Sequence, residues 1–188
     1  MKRLFQATRA AHDERERCDL CAEPIAADHE HLYEARARAV RCACEACAVI
    51  VPSSETSPYR RVPRRFERLG DAAQWVEALG VPVGIAALIR REAGAVVAYP
   101  GPVGLVESEV DAAVLAAIPE AAGLAVEVEA LVWSTLPGGG VWRCGIDVVF
   151  RMVSELRAAW VGMAGGPEVP AAVARMFAEL ANRSELRA

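Results

Sequence analysis

Cys18-Asp19-Leu20-Cys21 and Cys42-Ala43-Cys44-Glu45-Ala46-Cys47 are the stretches that decide the fold of the N-terminal part of this chain. Each carries a CxxC pair, Cys18/Cys21 and Cys44/Cys47, and 22 residues separate the two pairs. A CxxC turn presents two sulfurs to one centre, and two such turns at this separation have the spacing of a four-thiolate metal site. Five of the six cysteines fall in this window, so the clustering is not an effect of composition. Cys18, Cys21, Cys44 and Cys47 are therefore expected to ligate a metal. Zn2+ is the favoured ion, because it takes four tetrahedral thiolates in closed structural sites; iron in a rubredoxin-like site is the alternative for the same sulfurs. Cys42 either replaces Cys44 as a ligand, or stands beside the site as a reactive thiol or a small packed residue. His29 and His31 are spare ligand candidates that a four-cysteine shell does not need.

Between the pairs, Pro24 and Asp28 carry loop chemistry, while His31-Leu32-Tyr33 and Arg38-Ala39-Val40-Arg41 read as two short strands joined by a turn. Knuckle, hairpin, knuckle is the order of a zinc ribbon, here over residues 18–50. Leu20, Ile25, Leu32, Tyr33, Val40 and Val49 are nearly all the apolar material it has. Such a module needs its metal to fold, and structural zinc supplies an apparent ~10–16 kcal/mol. Arg36, Arg38 and Arg41 lie between the pairs, where they are placed to offset the formal negative charge of four thiolates around Zn2+.

On the N-terminal side, residues 1–17 read as a charged arm with a weak helical stripe of Leu4, Ala7 and Ala11. On the other side, residues 51–70 are rich in Pro, Ser and Arg and read as a linker. Its Arg60, Arg61, Arg64 and Arg65, followed by Arg68, are partner-binding candidates for an acidic protein surface. The competing expectation is a solvated connector lying on the acidic remainder of the chain.

Residues 71–188 read as an α+β domain. Asp71 is expected to cap a helix through Trp75, Val76 and Leu79, and residues 81–89 to form a buried strand that returns over 95–99. Ser108 is expected to cap a helix through Val110, Val114, Leu115 and Ile118. Residues 125–134 alternate as a half-buried strand with Glu127 and Glu129 facing solvent, and Val141–Cys144 pairs with it, Cys144 in the core. Asp147 is expected as the cap of the best amphipathic helix, whose face is Val149, Met152, Val153, Leu156 and Trp160. A last helix covers Ala171–Leu180. The fold class is thus α+β: a zinc-ribbon-like module followed by a small antiparallel sheet packed with helices.

With 54% apolar residues the chain has the material for a real core. Residues 1–70 carry a net +2 and the remainder a net −6, giving −4 overall, and no basic surface that would favour nucleic acid. The start of the chain lacks the apolar run of a secretory signal, and the apolar stretches 81–89 and 93–106 are too short and too broken to span a bilayer. A cytoplasmic protein is expected, where clustered cysteines bind metal rather than form disulfides. The three histidines, His12, His29 and His31, all precede the larger domain, and neither Gly138-Gly139-Gly140 nor Gly165-Gly166 forms a phosphate loop. With no Ser/His/Asp set, the sequence favours a binding protein over an enzyme. The alternatives are an iron electron carrier of rubredoxin type, or a thiol-redox or metallochaperone protein using Cys42.

Several blocks in order carry a family resemblance: Cys18-Asp-Leu-Cys21, His29-Glu-His31-Leu32, Cys42-Ala-Cys44-Glu-Ala-Cys47, then Trp75 with Val81-Pro82-Val83-Gly84. Tyr99-Pro100-Gly101-Pro102, Glu107-Ser108, Glu127-Val-Glu129-Ala-Leu131, Ile146-Asp147 and Trp160-Val-Gly162-Met-Ala-Gly165-Gly166 follow. On these the chain resembles an uncharacterised bacterial family encoded near actinobacterial-type NiFe hydrogenases. It departs at Gly145, where the resemblance would place proline, and at Pro170, where it would place an aromatic. The resemblance implies an accessory, assembly or subunit role with a protein partner, a hydrogenase subunit or maturation factor.

Overall fold

The computed structural model of the chain describes residues 16–54, 56–71, 75–81, 84–101, 104–136, 139–162 and 166–185. The arm expected over 1–17 lies outside them except for Glu16 and Arg17, as does His12. Within the described residues the chain is a mixed α/β protein with two antiparallel sheets. The smaller sheet has β1 (Glu30–Glu34), β2 (Ala39–Ala43) and β3 (Tyr59–Arg61) in the order β2-β1-β3. The hairpin β1–β2 places Leu32 opposite Arg41 and Tyr33 opposite Val40, and Arg38 in its turn takes a left-handed φ of 50°.

The larger sheet is built from β4 (Phe66–Gly70), β5 (Ile85–Arg91), β6 (Gly94–Gly101), β7 (Gly104–Glu109), β8 (Glu129–Ser134) and β9 (Gly140–Gly145), in the order β4-β9-β8-β5-β6-β7. Successive side chains of a strand point to opposite faces, and here both faces are covered. On one face Ile85, Ala87, Ile89, Ala130, Val132 and Trp142 pack with α5 (Ile146–Ala159) and α6 (Glu168–Glu185), through Val149, Met152, Leu156, Phe177 and Leu180. On the other, Ala86, Leu88, Val97, Leu131, Trp133 and Val141 pack with Trp75, Val76, Ile118 and Leu124. The short helices α2 (Trp75–Ala78), α3 (Ala112–Ala116) and α4 (Pro119–Ala122) supply that second layer. Two covered faces explain why Ile85–Ile89 is a continuous apolar run. Among the described residues no helix is long and apolar enough to cross a membrane.

The stretch 51–70, expected as a connector, contributes one strand to each sheet. β3 pairs with β1, and β4 pairs with β9, Phe66 opposite Cys144. Both are edge strands carrying charge, Arg60 and Arg61 in β3 and Glu67 and Arg68 in β4, the charged edges that discourage further pairing, and their polar sequence hides them from a periodicity reading. Between them Val62 is buried and donates its backbone N–H to the carbonyl of His31 at 3.0 Å. Tyr33 and Val62 sit in the same apolar cluster as Trp142 and Met152, so the two sheets share a core.

Three local expectations change. Ser108 lies in β7 opposite Val97, and the helix cap falls to Asp111, whose carboxylate accepts the N–H of Ala113 at 2.7 Å. The helix expected through Val110 to Ile118 is the shorter α3, Ala112–Ala116, and Pro119 opens a further short helix, α4. Glu129 does not face solvent: it is 3% exposed. Its Oε2 accepts the N–H of Ala125 at 2.9 Å, and Oε1 lies 3.5 Å from Arg65. The alternation along 128–134 has the expected parity, but the second face is buried too. Glu127 sits in the preceding turn with φ 66°. Glu129→Ala removes a buried carboxylate that accepts the Ala125 N–H and pairs with Arg65, so a loss of about 1–3 kcal/mol is expected in urea unfolding. A change within a few tenths of a kcal/mol would contradict this account of Glu129.

Candidate metal centre

The first CxxC pair sits on a turn that the backbone closes itself. Cys18 N donates to Glu23 O at 2.8 Å and Ala22 N to Cys18 O at 2.9 Å, with Ala22 at φ 63°. Ile25 N donates to Glu16 O at 2.9 Å below it. The second pair is built by a helix start. Cys44 is the N-cap of α1 (Glu45–Ile50); its sulfur accepts the N–H of Cys47 at 3.5 Å and its carbonyl that of Ala48 at 3.0 Å. The turn and the strand end are stitched together, Asp19 N donating to Cys42 O and Cys42 N to Asp19 Oδ2, both at 2.8 Å.

These elements bring the sulfurs of Cys18, Cys21, Cys44 and Cys47 within 4.8 Å of one another, with Cys21 and Cys44 3.7 Å apart. Four sulfurs at ~2.3 Å from a tetrahedral zinc stand about 3.8 Å from one another. The donor set and its spacing therefore fit a tetrahedral metal ion. Cys18 is buried beside Ile25, Leu32, Ala43 and Ala48, whereas Cys21 is exposed.

Burial acts to raise the Cys18 thiol, but backbone hydrogen bonds from Cys44, Leu20 and Cys21 outweigh it and lower its pKa from 9.0 to about 6. Cys47 moves the other way, to about 12, chiefly because Cys21 and Cys44 hold its proton in the metal-free chain. Cys18 is thus ionised at pH 7. In the metal-free chain its contribution to stability is present above pH 9 and fades as pH falls towards 6. Metal uptake near pH 7 is accordingly expected to release fewer than four protons, the number rising towards four below pH 6. Calorimetry in buffers of different ionisation enthalpy measures this, and release of four at pH 7 would contradict an ionised Cys18.

Cys42 is not part of the four-sulfur group. It lies instead with His29 and His31, the ligand atoms of the three within 4.8 Å of one another. Burial, then the charges of Glu16 and Asp19, push its thiol up to about 11. Taken along the sequence these three residues stand singly; what joins them is His31 opposite Cys42 across the β1–β2 pair, with His29 two residues before His31. Asp147 is not the cap of α5, whose N-cap is Gly145; it stands in the first turn with Oδ2 3.1 Å from His31 Nδ1. Gly145 is enclosed: a Cβ there would come to 2.7 Å from the carbonyl oxygen of Pro63 and would also meet Asp147 Oδ1. Cys144 is fully buried in the core, and burial raises its pKa.

The arginines lie against carboxylates of the same chain. Arg60 is 2.7 Å from Glu92 and 3.7 Å from Glu127, Arg61 is 3.0 Å from Glu30, and Arg68 is 2.9 Å from Asp71. Arg64 meets Asp28 and Glu30, and Arg65 meets Glu129. Arg38 pairs with Glu107 and Arg41 with Glu34, so these charges are directed at carboxylates rather than at the sulfurs.

No match is found among curated proteins or among solved structures. A family model does match, over residues 17–184, from the residue before Cys18 to the last turn of α6. The match takes in both CxxC pairs and both sheets, and on it the chain belongs to DUF5947, a family of unknown function.

Proposed function

We propose that this chain is a non-enzymatic, metal-stapled accessory protein that acts by protein–protein binding. Zn2+ held by Cys18, Cys21, Cys44 and Cys47 fixes residues 18–50 as a zinc-ribbon-like docking module. The observation that carries this is the convergence of four thiols at tetrahedral spacing, a closed shell that leaves no coordination position for a substrate. The knuckle–hairpin–knuckle order supports the ribbon assignment. Binding is supported by α1, which begins at a metal ligand and carries Val49 and Ile50 at 58% and 68% exposure. Because Arg60, Arg61, Arg64 and Arg65 lie on internal carboxylates, this apolar pair is the better candidate for the surface a partner covers. The family resemblance supports a hydrogenase subunit or maturation factor as that partner.

The same four sulfurs support an iron carrier, which elemental analysis separates. A thiol-redox role draws no support from Cys42, whose raised pKa is the reverse of what such chemistry uses. The test is affinity purification from the native cell, with elemental analysis and identification of co-purifying proteins. Zinc that disappears with Cys44→Ser is expected, together with a partner lost on Val49→Asp/Ile50→Asp while the metal stays. Bound iron with reversible one-electron reduction would replace this proposal by the carrier; a partner retained by the double variant would overturn the docking face.

A further inference from the structure

The geometry points to a second metal site, separate from the four-thiolate centre, in which His29, His31 and Cys42 hold a late first-row divalent transition-metal ion and leave one coordination position open. One ring nitrogen of each histidine and the Cys42 sulfur lie within 4.8 Å of one another. Sheet geometry produces this. His31 and Cys42 are direct cross-strand partners in β1 and β2, and His29 lies just before β1, two residues from His31. The two rings meet edge to face with centroids 4.7 Å apart.

Each ring is oriented through Nδ1. His29 Nδ1 is 2.8 Å from the carbonyl oxygen of Ala26, an acceptor only, so the proton is assigned to Nδ1 and the lone pair to Nε2. His31 Nδ1 is 3.1 Å from Asp147 Oδ2, which assigns its free lone pair to Nε2 in the same way. Metal-bound histidines show this arrangement, with the far N–H given to a carbonyl or carboxylate that fixes the tautomer. His29 supplies the decisive atom: its side chain is 8% exposed, and its Nε2 is buried without a hydrogen-bond partner. A buried unpaired nitrogen is costly, and a cation among the three donors would satisfy it.

Glu16 flanks the group, with Oε2 3.7 Å from His29 Nδ1 and Oε1 3.8 Å from Cys42 Sγ. The three donors line a cavity of about 700 Å³ that also reaches Asp147 and Arg151. Two imidazoles and one thiolate select zinc, cobalt, nickel or copper over magnesium and calcium. Three protein ligands with water completing the shell is the pattern of an open site, in contrast to the closed set of four sulfurs.

The test is titration of the metal-depleted full-length chain with Zn2+, and with Co2+ as a spectroscopic probe. Two equivalents are expected. Cys42→Ser and His29→Ala should each abolish the second equivalent and its cobalt absorption, and retain the first. Asp147→Asn, which removes the charge facing the His31 ring, should weaken the second equivalent by about 10–100-fold. A single equivalent that folded Cys42→Ser retains, or two equivalents in folded Cys42→Ser, overturns the second site. If the one equivalent bound is lost with Cys42→Ser but kept with Cys44→Ser, the four-thiolate proposal fails and the second site stands.

Discussion

Cys44→Ser is expected to release the metal from the four-thiolate centre and to unfold the module around it. Cys44 is at once a ligand candidate and the N-cap of α1, its sulfur accepting the Cys47 N–H. Among the described residues the apolar cluster beneath the site has five buried members, Cys18, Ile25, Leu32, Ala43 and Ala48. So little buried surface cannot offset the entropy of ordering some thirty residues, which costs roughly 1–2 kcal/mol per residue for the backbone alone. The metal contributes an apparent ~10–16 kcal/mol in such modules. Hydrogen exchange read by mass spectrometry should show protection lost across residues 17–54 but kept in β5, β8 and β9. Full protection in the variant at unchanged melting temperature would mean that the protein core, not the metal, holds this region.

The second large effect is expected at Trp133. It is fully buried in β8 and meets Trp75 edge to face, ring centroids 5.4 Å apart at 85°. Its neighbours on that face are Ala86, Leu88, Val97 and Val141, strand residues fixed by pairing and unable to close the space. Trp133→Ala should therefore cost about 3–5 kcal/mol, near the upper end for large-to-small core changes. Against a typical total of about 5–15 kcal/mol, that leaves the protein marginal or unfolded at 37 °C. Denaturant unfolding measures it, and a loss below about 1 kcal/mol would show that α2 collapses into the void. The partner tryptophan on the opposite face, Trp142 against Phe177 at 5.1 Å, offers the comparison.

The features legible in the sequence were those written in local periodicity or spacing. The CxxC pairs and the hairpin between them, the β5–β6 hairpin with its buried Ile85–Ile89 run, and the amphipathic face of α5 all belong here. What was hidden depends on partners distant in the chain. β3 and β4 are short and charged, and become strands because β1 and β9 present an edge to them. Glu129 looks solvent-facing until Arg65 and the N–H of Ala125 meet it in a buried face. Cys42, His29 and His31 look like spare ligands of one centre, yet the register of β1 against β2 groups them apart from it.

The four residues from Val62 to Arg65 join the two sheets. Fully extended they span at most about 14 Å, and Val62 is itself buried in the shared core. The cysteine module is therefore mounted like a bracket, not hung like a bead on a string. A partner seating on Val49 and Ile50 would meet a face whose direction is already set, and little orientational entropy is lost in presenting it. Any tilt imposed on that bracket would be felt at once along the β4–β9 edge, where Phe66 and Cys144 lie opposite each other.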